Sequence, residues 1–414
     1  MTGQPLSRRE FLKQAARYGV ILGGGGIALS HPSWLLDLLN PGLNAAALLN
    51  DLAKEAPRAR FWISTAMPNP DCLGCHTPDE IAAEKTHAHE QAIVKCLLCA
   101  QGCMIKEGER GKCRARMNVK GELRSLVYGR PITIHVDPIE KKPFYHFLPG
   151  ANAYSLATTG CPLACKFCQN WEISQARPED YPVDYVAPQA VANAAASRNA
   201  PIIAFTYNEP TVFAEYLLDI ARAARPQNIR SVLVSCGFMN AEPLTDMCEA
   251  LDAIKIDLKG FSDDFYRDVA GAALKPVLRS IKQAAKSAAH LEIVNLVVPT
   301  LNDSEEMLTG LAEWVMGELG PDVPIHFTRF HPDYQLPNLP PTPVATLERA
   351  REIALQKGIH YPYVGNVPGH PGNNTYCPGC GSVIIRRSGF FVLEMHLKKG
   401  RCSFCNHPIA GVWA

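Results

Sequence analysis

The 414-residue chain has no charge of one sign to spare: 41 lysines and arginines stand against 40 acidic residues, a net charge of +1. Surfaces that bind nucleic acid draw their affinity from a basic field, so composition supports no nucleic-acid partner and none is expected. A long apolar run is missing where it would matter most. The stretch that follows the basic N-terminal residues, from about Tyr18, is glycine-rich and too short to read as a membrane span. A third absence is local. GCPLACKFCQNW, residues 160–171, holds Cys161, Cys165 and Cys168 with no fourth Cys or His beside them. A closed structural zinc site takes four protein ligands, so something else is expected to complete this sphere.

Cysteine itself is plentiful. Most of the fifteen fall into tight groups: Cys72/Cys75, Cys96/Cys99/Cys103/Cys113, Cys161/Cys165/Cys168 and Cys377/Cys380/Cys402/Cys405. A chain of this length can bury a large core and needs no disulfide staples. The paired spacings therefore read as metal ligation. Cys236 and Cys248 stand apart and read as buried thiols.

At the N-terminus, Arg8-Arg9 followed by Phe11, Leu12 and Lys13 resembles a twin-arginine export signal, with Ala45-Ala46-Ala47 as a small-residue cleavage site. An amphipathic basic helix that is retained is the other reading. Residues 48–90 read as a polar connection carrying Cys72-Leu73-Gly74-Cys75-His76. CxxCH is the attachment pattern of c-type haem; His87 or His89 could equally join Cys72 and Cys75 at another metal, or the motif could carry no cofactor. Export and haem go together, because haem is attached outside the cytoplasm. In residues 91–150, Cys96, Cys99, Cys103 and Cys113 can close one site, and by spacing zinc and an iron–sulfur cluster suit it equally.

From Ala153 the pattern becomes rhythmic. Strand-like AYSLATT, PIIAFTY, SVLVSCG, AIKIDLK, LEIVNLVV and PIHFTRF alternate with helix-period segments, the last being ATLERAREIALQKG. Such alternation implies a parallel sheet with right-handed crossovers. Six units predict an α/β fold, a partial (β/α)6 barrel over residues 151–370. Loops after barrel strands build active sites, and the cysteine triplet follows the first strand. Beyond the barrel, residues 371–414 carry Cys377-Pro378-Gly379-Cys380 and Cys402-Ser403-Phe404-Cys405, two knuckles separated by 21 residues. They predict a zinc-ribbon-like segment too small to have a core of its own.

Cys161-Pro162-Leu163-Ala164-Cys165-Lys166-Phe167-Cys168 resembles the radical S-adenosylmethionine (SAM) signature, including the aromatic before the last cysteine. The resemblance implies that three cysteines hold a [4Fe–4S] cluster whose fourth iron is chelated by SAM. Asp137-Pro138-Ile139-Glu140-Lys141-Lys142-Pro143, His146-Phe147-Leu148-Pro149-Gly150, Gln169-Asn170-Trp171 and Tyr207-Asn208-Glu209-Pro210 are similar to the radical enzyme of the AmmeMemoRadiSam system, a relative of pyruvate formate-lyase activating enzymes. By this likeness Glu209 is a polar contact to the methionine amino group. Tyr207 and Asn208 replace two glycines beside it. Asp257 and Lys259 lie near the ribose and carboxylate, Cys236 occupies the place of an amide, Val298 is near adenine, and His331 follows the sixth strand.

The expected activity is reductive cleavage of SAM to a 5′-deoxyadenosyl radical that abstracts hydrogen from a small-molecule or protein substrate, with an external electron donor. The alternatives are an exported iron–sulfur or haem electron carrier, and an activase of a glycyl-radical partner. Residues 1–47 are expected to direct export or periplasmic placement, against a cytoplasmic alternative favoured by the need for SAM and a strong reductant. A reporter fused to the N-terminal segment should cross the membrane, and Arg8→Lys with Arg9→Lys should retain it; equal retention of both would defeat the export reading.

Overall fold

The computed structural model describes residues 41–64 and 92–413. The Arg8-Arg9 signal and the Cys72, Cys75, His76 motif lie outside the described residues. No helix among the described residues is long and apolar enough to cross a membrane.

Pro41–Glu55 form helix α1. Three short strands, β1 (Trp62–Ser64), β2 (Val94–Cys96) and β3 (Met104–Ile105), make a small antiparallel sheet, and β4 (Arg116–Val119) turns through Lys120-Gly121 into β5 (Glu122–Ser125). Both turn residues have positive φ, 54° and 81°, the conformation of a two-residue hairpin whose twist matches its strands.

The main sheet runs β6 (Thr133–Pro138), β7 (Asn152–Ala157), β8 (Ile202–Phe205), β9 (Arg230–Ser235), β10 (Ala253–Asp257), β11 (His290–Val297), β12 (Ile325–Arg329) and β13 (Pro362–Gly365) in spatial sequence. β6 pairs with β7 antiparallel, and every later neighbour is parallel. Crossovers contain α2 (Trp171–Ser174), α3 (Pro188–Ser197), α4 (Ala214–Ala224), α5 (Ala241–Ala250), α6 (Leu274–Ala285), α7 (Glu305–Leu319) and α8 (Val344–Gln356). The strands are covered on both faces, as parallel strands usually are; all four residues of β8 are apolar and buried.

All six expected strands are present, and the open barrel-type sheet stands. The sheet gains two strands at its edges. β13 is only four residues long and starts with Pro362, so its apolar signal is brief. β6 alternates weakly because its middle residues, Ile134, His135 and Val136, are exposed.

The flanking segments are fastened to the barrel rather than strung beside it, and residues 49–414 form one compact unit. At the N-terminal side, the fully buried Arg116 donates to both oxygens of Glu215 on α4 at 2.6 Å, while Arg60 N–H donates to the same carboxylate at 2.7 Å. At the C-terminal side, β14 (Thr375–Tyr376), β15 (Val383–Ser388), β16 (Phe391–Met395), β17 (Leu397–Lys398) and β18 (Arg401–Cys402) form the ribbon. Buried Arg387 of β15 donates to the Tyr145 carbonyl at 2.8 Å, stacks over the Tyr145 ring and sits 3.8 Å from Glu140. Tyr361, Tyr363, Cys377, Ile384, Cys402 and Ile409 pack together in one cluster. The ribbon thus borrows a core from the barrel end, in keeping with a segment too small to have one of its own.

A buried ion pair broken on one side leaves an uncompensated charge. Arg116→Met should lower stability by about 3–5 kcal/mol in urea unfolding, and Arg116→Met with Glu215→Leu by clearly less; equal losses would show that the charges are not coupled.

Candidate active site

The cysteine triplet occupies the loop after β7. Gly160 enters it with φ +96°, and a Cβ there would stand 2.4 Å from the Cys113 carbonyl oxygen. Only glycine allows this approach. The loop is then pinned backbone to backbone: Ala164 N–H donates to the Ala270 carbonyl at 3.0 Å, and Lys166 N–H to that of Val269 at 2.9 Å. Asp263–Phe265 continues into a wider turn, Tyr266–Ala270, whose carbonyls provide these acceptors. Phe167 is buried, stacks on Phe265 at 6.2 Å and lies beneath the Lys259 ammonium at 5.6 Å.

Cys161, Cys165 and Cys168 line a cavity of about 560 Å³ at the C-terminal ends of the strands, together with Asn170, Tyr207, Asn208, Glu209, Cys236, Asp257 and Lys259. The structure therefore brings together, from the ends of four successive strands, most of the residues singled out in the sequence. Two are not brought in. Val298 is buried but does not line the cavity; the strand ends at Val297 and Asn302 Oδ1 takes the Val298 N–H at 2.6 Å, so Val294 and Leu296 are the β11 residues that face it. His331 is exposed and also outside the lining, because the chain turns away after Phe330, whose N–H is held by Thr342 at 2.8 Å.

The Glu209 carboxylate is largely occupied by the chain itself. Oε1 accepts from Thr211 N–H at 3.1 Å, Thr211 Oγ1 at 2.5 Å and Ser235 Oγ at 2.7 Å; Oε2 accepts from Cys236 N–H at 2.7 Å. A carboxylate offers about four lone-pair sites, so the one place for a further donor is on Oε2. Beside it, Asn208 donates to the Gly160 carbonyl at 2.9 Å while its Oδ1 is buried without a partner. An unpaired buried acceptor costs about 1–3 kcal/mol, and a bound donor would remove that cost. Tyr207 adopts φ +70°, an outlier for a bulky residue and the conformation a glycine would take at this turn. Its hydroxyl donates to Asp137 Oδ2 at 2.6 Å, and its carbonyl accepts from Asn170 at 2.9 Å.

Asp257 lies between two ammonium groups. Lys255 contacts Oδ1, and Lys259 reaches Oδ2 at 3.2 Å. Burial alone would raise the Asp257 carboxyl, but the two lysines outweigh it and hold the group below its usual range. Lys259 is likewise opposed by burial, yet Asp257 and Cys165 push it well above its usual value, so it stays charged. Burial raises the Cys165 thiol to about 11 and that of Cys161 well above the usual range. A metal bound by such thiols displaces their protons.

Lys255, His326, Asp137 and Lys142 were not assigned roles from the sequence. Lys255, Asp257 and Lys259 alternate along one face of a strand otherwise apolar, a period-two charge pattern that could have been read. His326 lines the cavity floor; its Nε2 is 2.6 Å from Glu292 and its Nδ1 is buried without a partner. Lys142 donates to Asp137 at 2.7 Å, and its ammonium lies 4.5 Å from the Tyr207 ring.

In the ribbon, the four sulfurs of Cys377, Cys380, Cys402 and Cys405 lie within 4.8 Å of one another, and among the described residues this is the only such group of three or more metal-ligating side chains. Cys377 and Cys405 are 3.5 Å apart, and Cys380 and Cys402 3.8 Å. Thiolates at about 2.3 Å from one tetrahedral ion stand about 3.8 Å apart. The spacing is that of a single metal ion.

Residues 155–312 match the model of the radical SAM superfamily. The chain is 43% identical over 318 residues to the uncharacterized protein MJ0808 of Methanocaldococcus jannaschii, covering 76% of this chain and 95% of that protein. It is 24% identical over 218 residues to the pyruvate formate-lyase 1-activating enzyme of Escherichia coli, covering 48% of this chain and 87% of that enzyme. Among solved structures, a radical SAM methyltransferase from Sphaerobacter thermophilus aligns over 72% of this chain and 84% of that one, with a TM-score of 0.40 and 12% identity.

Burial pushes Lys142 down to about 8 from its ordinary 10.5, with Asp137 acting in the opposite sense. The folded chain then releases this proton before the unfolded chain does. Stability from this group is present above 10.5 and is lost as pH falls through about 8. The unfolding free energy of wild type in urea should therefore rise between pH 8 and pH 10 relative to Lys142→Met, by roughly 2 kcal/mol; parallel curves would show that Lys142 titrates normally.

Proposed function

Because the chain belongs to the radical SAM superfamily and is related to pyruvate formate-lyase activating enzymes, we propose that it is an enzyme that cleaves SAM reductively and uses the resulting radical to take a hydrogen atom from a substrate. The observation that carries this reading is the convergence of Cys161, Cys165 and Cys168 with Asn208, Glu209, Asp257 and Lys259 around one cavity.

The residues suit the implied cofactors. Three thiols face the cavity without the close spacing of the single-ion site in the ribbon, as expected of ligands carried by separate irons, and they would hold a [4Fe–4S] cluster. When bound, that cluster with SAM supplies an electron to the sulfonium and hence a 5′-deoxyadenosyl radical. The chain provides the rest. Asn208 Oδ1 and the open position on Glu209 Oε2 are acceptors for an ammonium group such as that of the methionine moiety. Asp257 is kept ionised by its two lysines and is an acceptor for hydroxyls. Lys259 keeps positive charge beside Cys165 and favours its thiolate. Tyr145 and His326, with the partly exposed Phe390 from the ribbon, complete the lining. His326 Nδ1 is a polar atom that a substrate can satisfy.

An electron carrier would need neither the Asn208–Glu209 turn nor the Lys255–Asp257–Lys259 row, and this disfavours the carrier reading. Action on a partner protein is suggested by kinship to activating enzymes. The ribbon residue Phe390 in the cavity wall favours a small substrate or a narrow peptide segment. Zinc in the ribbon is part of the same proposal.

Anaerobically reconstituted, chemically reduced protein given SAM should yield 5′-deoxyadenosine, and Cys165→Ala should abolish this while leaving the circular dichroism unchanged. Undiminished cleavage in the variant would overturn the assignment.

A further inference from the structure

Cys96, Cys99, Cys103 and Cys113 take no part in the function proposed above, yet the fold gathers them. Cys96 ends β2, and its N–H donates to the Cys103 carbonyl at 3.0 Å. Gly102, with φ +54°, turns the chain between Cys99 and Cys103. Cys103 Sγ accepts the Lys112 N–H at 3.4 Å, which brings the turn holding Cys113 alongside. Cys96, Cys99 and Cys113 are buried in the same apolar cluster as Cys165, with Cys103, Cys161 and Cys168 packed against it.

A four-cysteine set serves either one zinc ion or an iron–sulfur cluster. The chain contains its own standards for telling these apart. The ribbon cysteines stand at single-ion spacing, all sulfurs within 4.8 Å. The triplet, which carries the superfamily's cluster motif, does not contract in this way, and neither do Cys96, Cys99, Cys103 and Cys113: among the described residues no three of them fall within that limit. One zinc ion draws its thiolates to about 3.8 Å from each other. Thiolates on the separate irons of a cluster stand farther apart. Neither the N-terminal group nor the triplet has the ribbon's single-ion spacing, and both leave room for the wider spacing of thiolates on separate irons.

Its placement adds a second argument. The Cys113 carbonyl is the atom that Gly160 must leave room for, immediately before Cys161. Gln101 donates to the Pro162 carbonyl at 2.9 Å, and Lys112 Nζ to the Gly271 carbonyl at 2.8 Å. The four-cysteine loop thus borders the triplet loop at two points and the turn that pins that loop at a third, while Cys103 remains partly exposed.

We propose that Cys96, Cys99, Cys103 and Cys113 hold a second iron–sulfur cluster, set in the wall of the first and reaching solvent at Cys103. The inference rests on the reading of the triplet as a cluster site, and the experiment separates the two. The full chain, reconstituted anaerobically, is analysed for iron, acid-labile sulfide and zinc beside two variants, Cys96→Ala with Cys113→Ala, and Cys165→Ala. Wild type should carry roughly twice the iron and sulfide of either variant. The fully reduced wild type should also show an electron paramagnetic resonance signal broadened by two neighbouring spins, and each variant a simple, different one. Full iron in the Cys96/Cys113 variant, or zinc lost from it in place of iron, would overturn the proposal. Full iron in Cys165→Ala would instead overturn the reading of the triplet. Retained ribbon zinc, with Cys96→Ser and Cys113→Ser as a milder pair, reports that the variants are folded.

Discussion

The carboxylate of Glu209 is the interaction on which the site depends. Buried at the end of β8, it collects four hydrogen bonds from Thr211, Ser235 and Cys236 and so ties the ends of two adjacent strands together. A buried carboxylate is tolerated only when its lone pairs are met, and meeting them dictates the path of the preceding residues. Tyr207 is forced into positive φ and anchored by Asp137, and Asn208 is turned toward Gly160. Gly160 in turn sets the start of the cysteine loop and its fit against Cys113. One carboxylate thus connects the strand ends, the loop that carries the triplet and, through it, the N-terminal cysteine segment.

Charge in the cavity is managed by pairing. Lys255, Asp257 and Lys259 form an alternating row; Asp257 and Lys259 are both opposed by burial, and the opposite charge beside each keeps it ionised. Buried rows of this kind contribute little net stability, since desolvation offsets attraction. Their value here is a fixed local field beside Cys165. The flanking segments serve the same cavity from outside: the Arg116–Glu215 pair holds the N-terminal segment to α4, and Arg387 holds the ribbon against Tyr145 so that Phe390 reaches the wall. Segments that looked like separate modules along the chain are parts of one enclosure.

Much of this was legible in the sequence because it depends on short-range pattern. The six apolar strands alternate with helix-period segments, the triplet has its own spacing, and the paired knuckles of the ribbon announce a tetrahedral site; each signal is local and survives without knowledge of the fold. Asp257 and Lys259 were assigned through the likeness to activating enzymes, which a short sequence match suffices to carry. The open barrel-type sheet followed from that alternation alone.

Other features were decided only by tertiary structure. Val298 and His331 follow strands as cavity residues should, but Asn302, four residues past Val298, and Thr342, which holds Phe330 from twelve residues on, bend the backbone and turn both away. Lys142 and His326 carry no local motif of their own. They reach the cavity because β6 adds antiparallel to β7 and because Glu292, on the neighbouring strand, orients the imidazole. Likewise, the spacing of Cys96, Cys99, Cys103 and Cys113 suits zinc and iron–sulfur chemistry equally. Sequence determines which thiols are available and in what order. How far apart their sulfurs stand, and that the Cys113 carbonyl meets Gly160, depends on the packing of segments distant in sequence, where close contact between buried groups leaves a single arrangement.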